Sequence, residues 1–445
     1  MSDLKLAGRF SVREFSITNA DKSKTVDIKM LIHTFTIVES MSLSSVRGSA
    51  VIYDAFDLVT QFPLKGEEVI KIVYSDFYDT ERTEYYQLYS IADVKYSKEA
   101  SQSMIQYKIN FVSLGKFYSE NKLIQQSYKP NGSLSLISDY VKDVYDVYYK
   151  RLLEENNLPI KNILIIPTTG TQTYVIPSYT PEQTMQFFSR KAFLSGSKTQ
   201  SFRFFENREM YFFATNEYMY ERVMPSAAPN TPASGAQSTP TRIPQFRINY
   251  GTAQSPDRQS SIMNEIIAIE FGNKTDIISD INEGAYKKKT FEIDIMNNSI
   301  IENSYDHSVG FESSTEKLLH DPAYVEKRIS KPKEVFVIKD YNSTGVAGGS
   351  EIRTDQYYAN LYNVKPTAFY HYTANMTSLS IYGRNTIFAG SIIELQLLVN
   401  TTDTNDPFKI DKERSGKYIV ESIENVFFEN VYTQKLKIAR GGIGI

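Results

Sequence analysis

Few residues in this chain have the types and spacing that could do chemistry. There are 4 histidines, His33, His307, His320 and His371, and 0 cysteines. No two histidines bracket a glutamate at the H-E-x-x-H spacing that holds zinc on one helix face. Without cysteine there is no thiolate metal site, thiol nucleophile or disulfide. No G-x-S-x-G turn lifts a serine onto a strand–helix elbow. Gly345 to Ser350 is glycine-rich but lacks the Gly-Lys-Ser/Thr ending that cradles phosphates. Asp403-Thr404-Asn405-Asp406 could open a calcium loop, yet Pro407 and Phe408 stand where such a loop needs a ligand oxygen and a glycine. Asp276 and Asp280 have helical spacing and are expected on a solvated surface, since an acid–base pair must face across a cleft. The expectation is a protein that is no enzyme, with no metal and no cofactor.

The elements able to position a site are mostly strands. Val26, Ile28, Met30 and Ile32 alternate with polar residues, as do Ile105, Tyr107, Ile109 and Phe111, which puts one set on a buried face. A short helix is expected from Asp54 to Phe62, before Pro63. Near the C-terminus, Ser391 to Val399, the segment from Ser415-Gly416-Lys417-Tyr418, and Tyr432 to Arg440 have the same strand pattern. Between these regions the period changes. Leu134, Ile137, Val141, Val144 and Tyr148 mark one face of a helix. Thr180-Pro181-Glu182-Gln183 opens another, with a cap, a proline at the first helical position and a capping box. A strand pair follows, Ser201 to Phe205 and Met210 to Thr215, turning at Glu206-Asn207-Arg208-Glu209. Ile277 to Glu283 and a stretch from Ser313 towards Ile329 are further helical candidates.

With 445 residues, the chain is long enough for several domains. Its 32 tyrosines and 26 phenylalanines, against 0 tryptophans, suit half-buried strands and protein interfaces. A net charge of −3 argues against tight, sequence-independent nucleic-acid binding. Lys287-Lys288-Lys289 is expected at a solvated turn or strand end. No secretory leader or transmembrane run is expected, and no stable membrane association. Five prolines between 225 and 244 point to an exposed loop.

Read in order, these segments resemble the central hub protein of contractile-tailed bacteriophage baseplates and, more distantly, the amino-terminal part of type VI secretion spike proteins. The likeness is carried by Asn110-Phe111-Val112-Ser113, by Asn121 and Leu123 leading to Gln126-Ser127-Tyr128-Lys129, and by Tyr174-Val175-Ile176-Pro177. Phe204-Phe205-Glu206-Asn207, Asp276 to Tyr286, and Ser415-Gly416-Lys417-Tyr418-Ile419 continue it. The loop at 225–244 and the segment 331–362 depart from it, as do Glu424-Asn425.

The resemblance implies an α+β, β-rich chain with two small antiparallel, tube-like β-barrels around an α/β domain. The first barrel is expected over 1–116, the α/β domain over 117–224 and an exposed Pro/Ser/Ala-rich loop over 225–250. Strands contributing to the second barrel follow over 251–300, a helical segment and loop over 301–350, and its main part over 351–445. The implied function is a structural, homotrimeric hub that adapts a threefold spike to a sixfold tail tube and forms part of the DNA channel. Tube or tube-initiator proteins, the central spike, and baseplate wedge and tape measure proteins would be partners. DNA would be only passing cargo, in a neutral or negative bore. The site would be the virion tail baseplate, after assembly in the host cytoplasm. Gly383, Gly390, Ser415, Gly416 and Tyr418 are the expected interface residues. The alternative is a β-rich, receptor-binding or adhesin-like tail component.

Overall fold

The computed structural model describes residues 6–440 except 55–57, 59–61, 63, 100–101, 132–133, 196, 198–199, 222–242, 249–261, 273–276, 296, 307–331, 339–359, 375, 399–409 and 412–413. Most of the helix expected before Pro63 and of the loop at 225–244, and all of the helix towards Ile329 and of Asp403–Asp406, therefore lie outside the described residues.

The alternation at Ile105–Phe111 and in the C-terminal segments forms strands as expected, whereas Val26 to Ile32 is not one strand: a 3-10 turn at Lys29–Leu31 interrupts it and leaves Met30 exposed. The first set is β1 (Ser11–Thr18), β2 (Thr25–Asp27), β3 (Ile32–Ser40), β4 (Arg47–Asp54), β5 (Val69–Ser75), β6 (Glu81–Glu99) and β7 (Gln102–Ser113). Its inward residues make one core of Phe15, Phe35, Ile52, Ile72, Tyr86, Ile109 and Phe111, among others. Phe15 and Phe35 touch edge to face at 5.7 Å although four strands separate β1 from β3 in the sheet, so the sheet is rolled.

The middle of the chain holds β8 (Ile124–Tyr128), β9 (Ile163–Ile165), β10 (Tyr174–Tyr179), β11 (Phe202–Glu206) and β12 (Tyr211–Thr215), with helices at Ile137–Tyr145 and Pro181–Lys191. β8 pairs with β10, and β9 with the β11–β12 hairpin. Both helices bury their apolar stripes in a shared core with Tyr128, Phe204 and Phe213. The second helix starts as its sequence dictates: Thr180 Oγ1 accepts from Gln183 N at 3.3 Å, and Gln183 Oε1 accepts from Thr180 N at 3.0 Å. Thr180→Ala is expected to cost about 1 kcal/mol of stability, read from chemical unfolding.

The second set is β13 (Gln245–Arg247), β14 (Ile266–Phe271), β18 (Met376–Tyr382), β19 (Ile392–Gln396), β20 (Gly416–Phe428) and β21 (Val431–Arg440). Between β14 and β18 the chain builds a separate sheet from β15 (Lys287–Asp294), β16 (Ser299–Asp306) and β17 (Lys333–Ile338). The stretch 251–300, expected to supply strands to the second barrel, is therefore divided: β14 joins the second set and β15 does not. A strand pattern carries no information on which strand is the neighbour. The lysine run starts β15, and Lys288 is buried rather than solvated; burial, followed by the nearby Lys333, lowers its pKa.

The two sets repeat one topology. The first stands in the order β1-β5-β6-β7-β4-β3, with β2 beyond β1, and the second in the order β13-β19-β20-β21-β18-β14. Counted along the chain within each set, both read first, fourth, fifth, sixth, third, second. One difference is that β1 pairs with β5 antiparallel and β13 with β19 parallel. The sets are also fused: β20 pairs with β3, making one 13-stranded sheet. Among the described residues no continuous ladder closes either set into a cylinder. In the second, the two ends meet through one parallel bridge, Arg247 with Glu265.

Candidate functional site

Two features of this frame could carry function: an open face of the sheet and a buried charged junction.

On the strands either side of β20, the outward residues are mostly small and polar. Thr36, Ser49, Asn110 and Ser90 form one row across the first set. Glu270, Ser378, Lys437 and Ser422 form the matching row in the second. Ser378, Ser380, Ser422, Glu270, Glu424, Lys435 and Lys437 line a shallow hollow of about 450 Å3. Its two carboxylates and two ammonium groups balance, and Lys435 lies 3.7 Å from Glu424. Neighbouring Asn425 is buried, donating to Ile37 O at 3.1 Å and accepting from Tyr432 Oη and Gln434 Nε2. The departure at Glu424-Asn425 is thus one half surface charge and one half core hydrogen bonding.

The junction is made by the β11–β12 turn, which wedges between the two sets. Arg208 and Glu39 are both fully buried. Arg208 Nε donates to Glu39 at 2.6 Å, and its other nitrogens donate to Tyr74 Oη and to Ile387 O, each at 2.8 Å. One side chain thereby touches β3 and β5 in the first set and the β18–β19 connection in the second. Glu84 lies 4.0 Å from Arg208, is bonded by Arg82 at 3.2 Å, and accepts from Tyr74 and Tyr86. Arg82 continues to Glu209 at 2.9 Å and to Asn385 O at 3.1 Å. A second buried pair, Arg203 with Glu421 at 2.9 Å, anchors β11 to β20, and Glu421 also accepts from Tyr372 and Ser42.

Burial would raise the Glu84 pKa, but Arg208 and Arg82, with the tyrosine hydroxyls, more than offset it and hold it below the usual carboxylate value. A lowered carboxylate stabilises the fold above its unfolded pKa and loses that contribution as pH falls through the folded value. Glu84→Gln is therefore expected to be less stable than the parent at neutral pH. The gap should close as pH drops below about 4, measured by urea unfolding across pH.

The five expected interface residues fall in the second set. Gly383 presses on Tyr432: an added Cβ would stand 2.1 Å from the ring. Gly383→Ala is expected to cost about 1–3 kcal/mol of stability by overpacking, read from thermal or urea unfolding. Gly390 has φ +89 and faces Met219 and Phe205 of the middle region. Ser415 Oγ accepts from Leu397 N at 2.9 Å, and Tyr418 is in the second core with Oη donating to Arg414 O at 2.7 Å. Gly416, φ +129, has open space where a Cβ would be. All but Gly416 serve contacts inside the chain. Asp280, expected on a solvated surface, is buried and accepts from Tyr286 and Tyr370. His33 stands between the rings of Tyr53 and Phe428. Among the described residues no cluster of His, Asp and Glu could hold a metal, and no helix is long and apolar enough to cross a membrane.

This chain, with two equivalent strand sets fused into one sheet and an α/β region keyed between them, is similar in fold to phage tail proteins. The tail protein from Neisseria meningitidis MC58 aligns over 98% of this chain and 98% of its own, with TM-score 0.53 and 9% identity. The 43 kDa tail protein of prophage MuSo2 from Shewanella oneidensis aligns over 96% and 98%, with TM-score 0.50 and 8% identity. A Francisella PdpA–VgrG complex gives TM-score 0.43 at 10% identity, over 96% of this chain and 58% of that one. The likeness to phage tail proteins therefore holds at the level of fold. No protein-family model matches the chain, and no curated protein matches it.

Proposed function

We propose that this chain is the structural hub of a contractile-tail baseplate, working as a homotrimer on the tail axis. The observation that carries this reading is the repeated topology. A threefold body can meet a sixfold ring through equivalent contacts only if each chain offers two near-equivalent parts, and this one has two. Each set is a tube-like barrel in this reading, rolled around its own core. The middle region over 117–224 braces the pair from outside, and the second barrel takes its strands from β13, β14 and β18 to β21, with the small β15–β17 sheet inserted between β14 and β18. Three copies would present six barrels to tail tube or tube-initiator proteins, and a threefold end to the spike. Wedge and tape measure proteins would be further neighbours. Assembly would take place in the host cytoplasm and end in the virion tail.

The open face then lines the channel. Hydroxyl and amide side chains with balanced charge give passing DNA little to grip, whereas a cationic wall would retain phosphates. Gly416, with room above it, is the interface candidate among the five expected positions. A receptor-binding or adhesin-like tail component is the second reading. It is favoured by the outward face of the small sheet, where Phe336, Ile338 and Ile300 are each about two-thirds exposed.

Native mass spectrometry of the purified chain, followed by binding assays with its tube and spike proteins, tests the reading. A trimer that binds both supports the hub. A chain that binds neither, or that an image of the particle places off the axis, overturns it.

A further inference from the structure

The fused sheet has one junction between sets inside the chain and, by its own symmetry, a second that the chain alone cannot make. β20 is the fifth strand of its set. Its first half pairs with β19, and beyond the bulge at Val420/Ser422 its second half pairs with β3, the second strand of the other set. β6 is the fifth strand of the first set and is built alike. Its first half pairs with β5 as far as Gln87, and it is bulged at Leu88/Ser90. Beyond that bulge, among the described residues, no strand pairs with its outer edge. The counterpart of β3 is β14, whose outer edge at Ile267–Glu270 likewise has no strand partner among the described residues. Even the bulges correspond, at Ile32/Thr34 in β3 and Ile266/Ala268 in β14.

We infer that β6 of one copy pairs with β14 of the next, repeating between chains the β20–β3 junction within a chain. This rests on the trimeric reading above and names its contact. Strand direction allows it. From β14 through β18, β21, β20, β3, β4 and β7 to β6, every neighbouring pair is antiparallel. That wall has an even number of strands, so its two ends run oppositely. Rotation about an axis parallel to the wall keeps that opposition, and the next copy joins without breaking the alternation.

The equivalence also fixes the register. Glu270 occupies the row position of Thr36, and Lys95 that of Val426. Val426 is directly opposite Thr36 within the chain. Lys95 of one copy is therefore opposite Glu270 of the next, two exposed side chains of opposite charge. Tyr96 takes the place of Phe427, which stacks on Phe35 at 4.1 Å; its side is 78% exposed in the single chain because its counterpart partner, Ile269, belongs to another copy. A long open edge with exposed aromatics is a liability that a closed ring removes.

The natural chain has 0 cysteines, so an introduced pair reports one contact. Directly opposed residues in an antiparallel pair have Cα atoms roughly 4.5–5.5 Å apart, within disulfide reach. Oxidised Lys95→Cys/Glu270→Cys protein should run as a covalent trimer on a non-reducing gel. Lys95→Glu alone should raise the concentration at which the trimer dissociates by roughly tenfold, because like charges then face each other at three contacts. Adding Glu270→Lys should restore it. A trimer that neither cross-links nor responds to the charge swap overturns this contact and leaves the hub reading standing. A ladder running past three copies overturns ring closure, and a chain monomeric at all concentrations removes both.

Discussion

Arg208→Met is expected to lower folding stability by about 3–5 kcal/mol, the cost of breaking a buried ion pair from one side. The loss is large because Glu39, fully buried, would be left without its ion-pair partner. Tyr74 and the Ile387 carbonyl would also lose a donor. The methionine fills most of the volume, so the loss reports charge and hydrogen bonding rather than a void. A companion Glu39→Leu/Arg208→Met variant separates the two effects. Removing both charges should recover a good part of the loss, because the orphaned carboxylate is gone. Urea unfolding of the three proteins measures this. A single variant within about 1 kcal/mol of the parent would falsify the idea that the β11–β12 turn locks the two strand sets together.

Phe427→Ala carries the second large effect, about 3–5 kcal/mol, typical of deleting a core aromatic. Its ring stacks on Phe35 at 4.1 Å and on Tyr432 at 4.2 Å, and meets Tyr74 edge to face at 5.0 Å. Phe427 belongs to β20 of the second set yet is part of the core of the first. The cavity therefore opens at the seam between the sets. Beyond the shift in midpoint, the variant should unfold less cooperatively, with tyrosine fluorescence and far-UV circular dichroism no longer tracing one transition. Coincident traces at an unchanged midpoint would show that the seam does not depend on this ring.

Much of the local structure was legible. Alternation at Ile105–Phe111 marked β7, the three-four spacing from Leu134 marked a helix, and Thr180 with Gln183 marked another. These signals are local, since period and capping depend on residues a few positions apart. The candidate site was legible only in part. Gly383 and Gly390 were singled out as interface glycines, and both serve close packing within the chain. Arg208 stood in a stretch read as a plain turn, although a four-residue turn of Glu-Asn-Arg-Glu is unusually rich in charge. Its partner Glu39 lies 169 positions away, and no spacing in the sequence could announce that pair.

What the sequence by itself determined is the kind of protein: strands over most of its length, a helical middle, no thiol chemistry, and a resemblance to tail hubs. What only the tertiary structure decided is how the strands are shared. The two sets have the same topology without a visible sequence repeat, because alternation preserves which face is buried and leaves the side chains free to change. The β20–β3 junction and, among the described residues, the unpaired edges of β6 and β14 follow from strand order and register, and the inferred contact of Lys95 with Glu270 is argued from them. Those are set by backbone hydrogen bonds, which every residue can make and which therefore leave little trace in residue type.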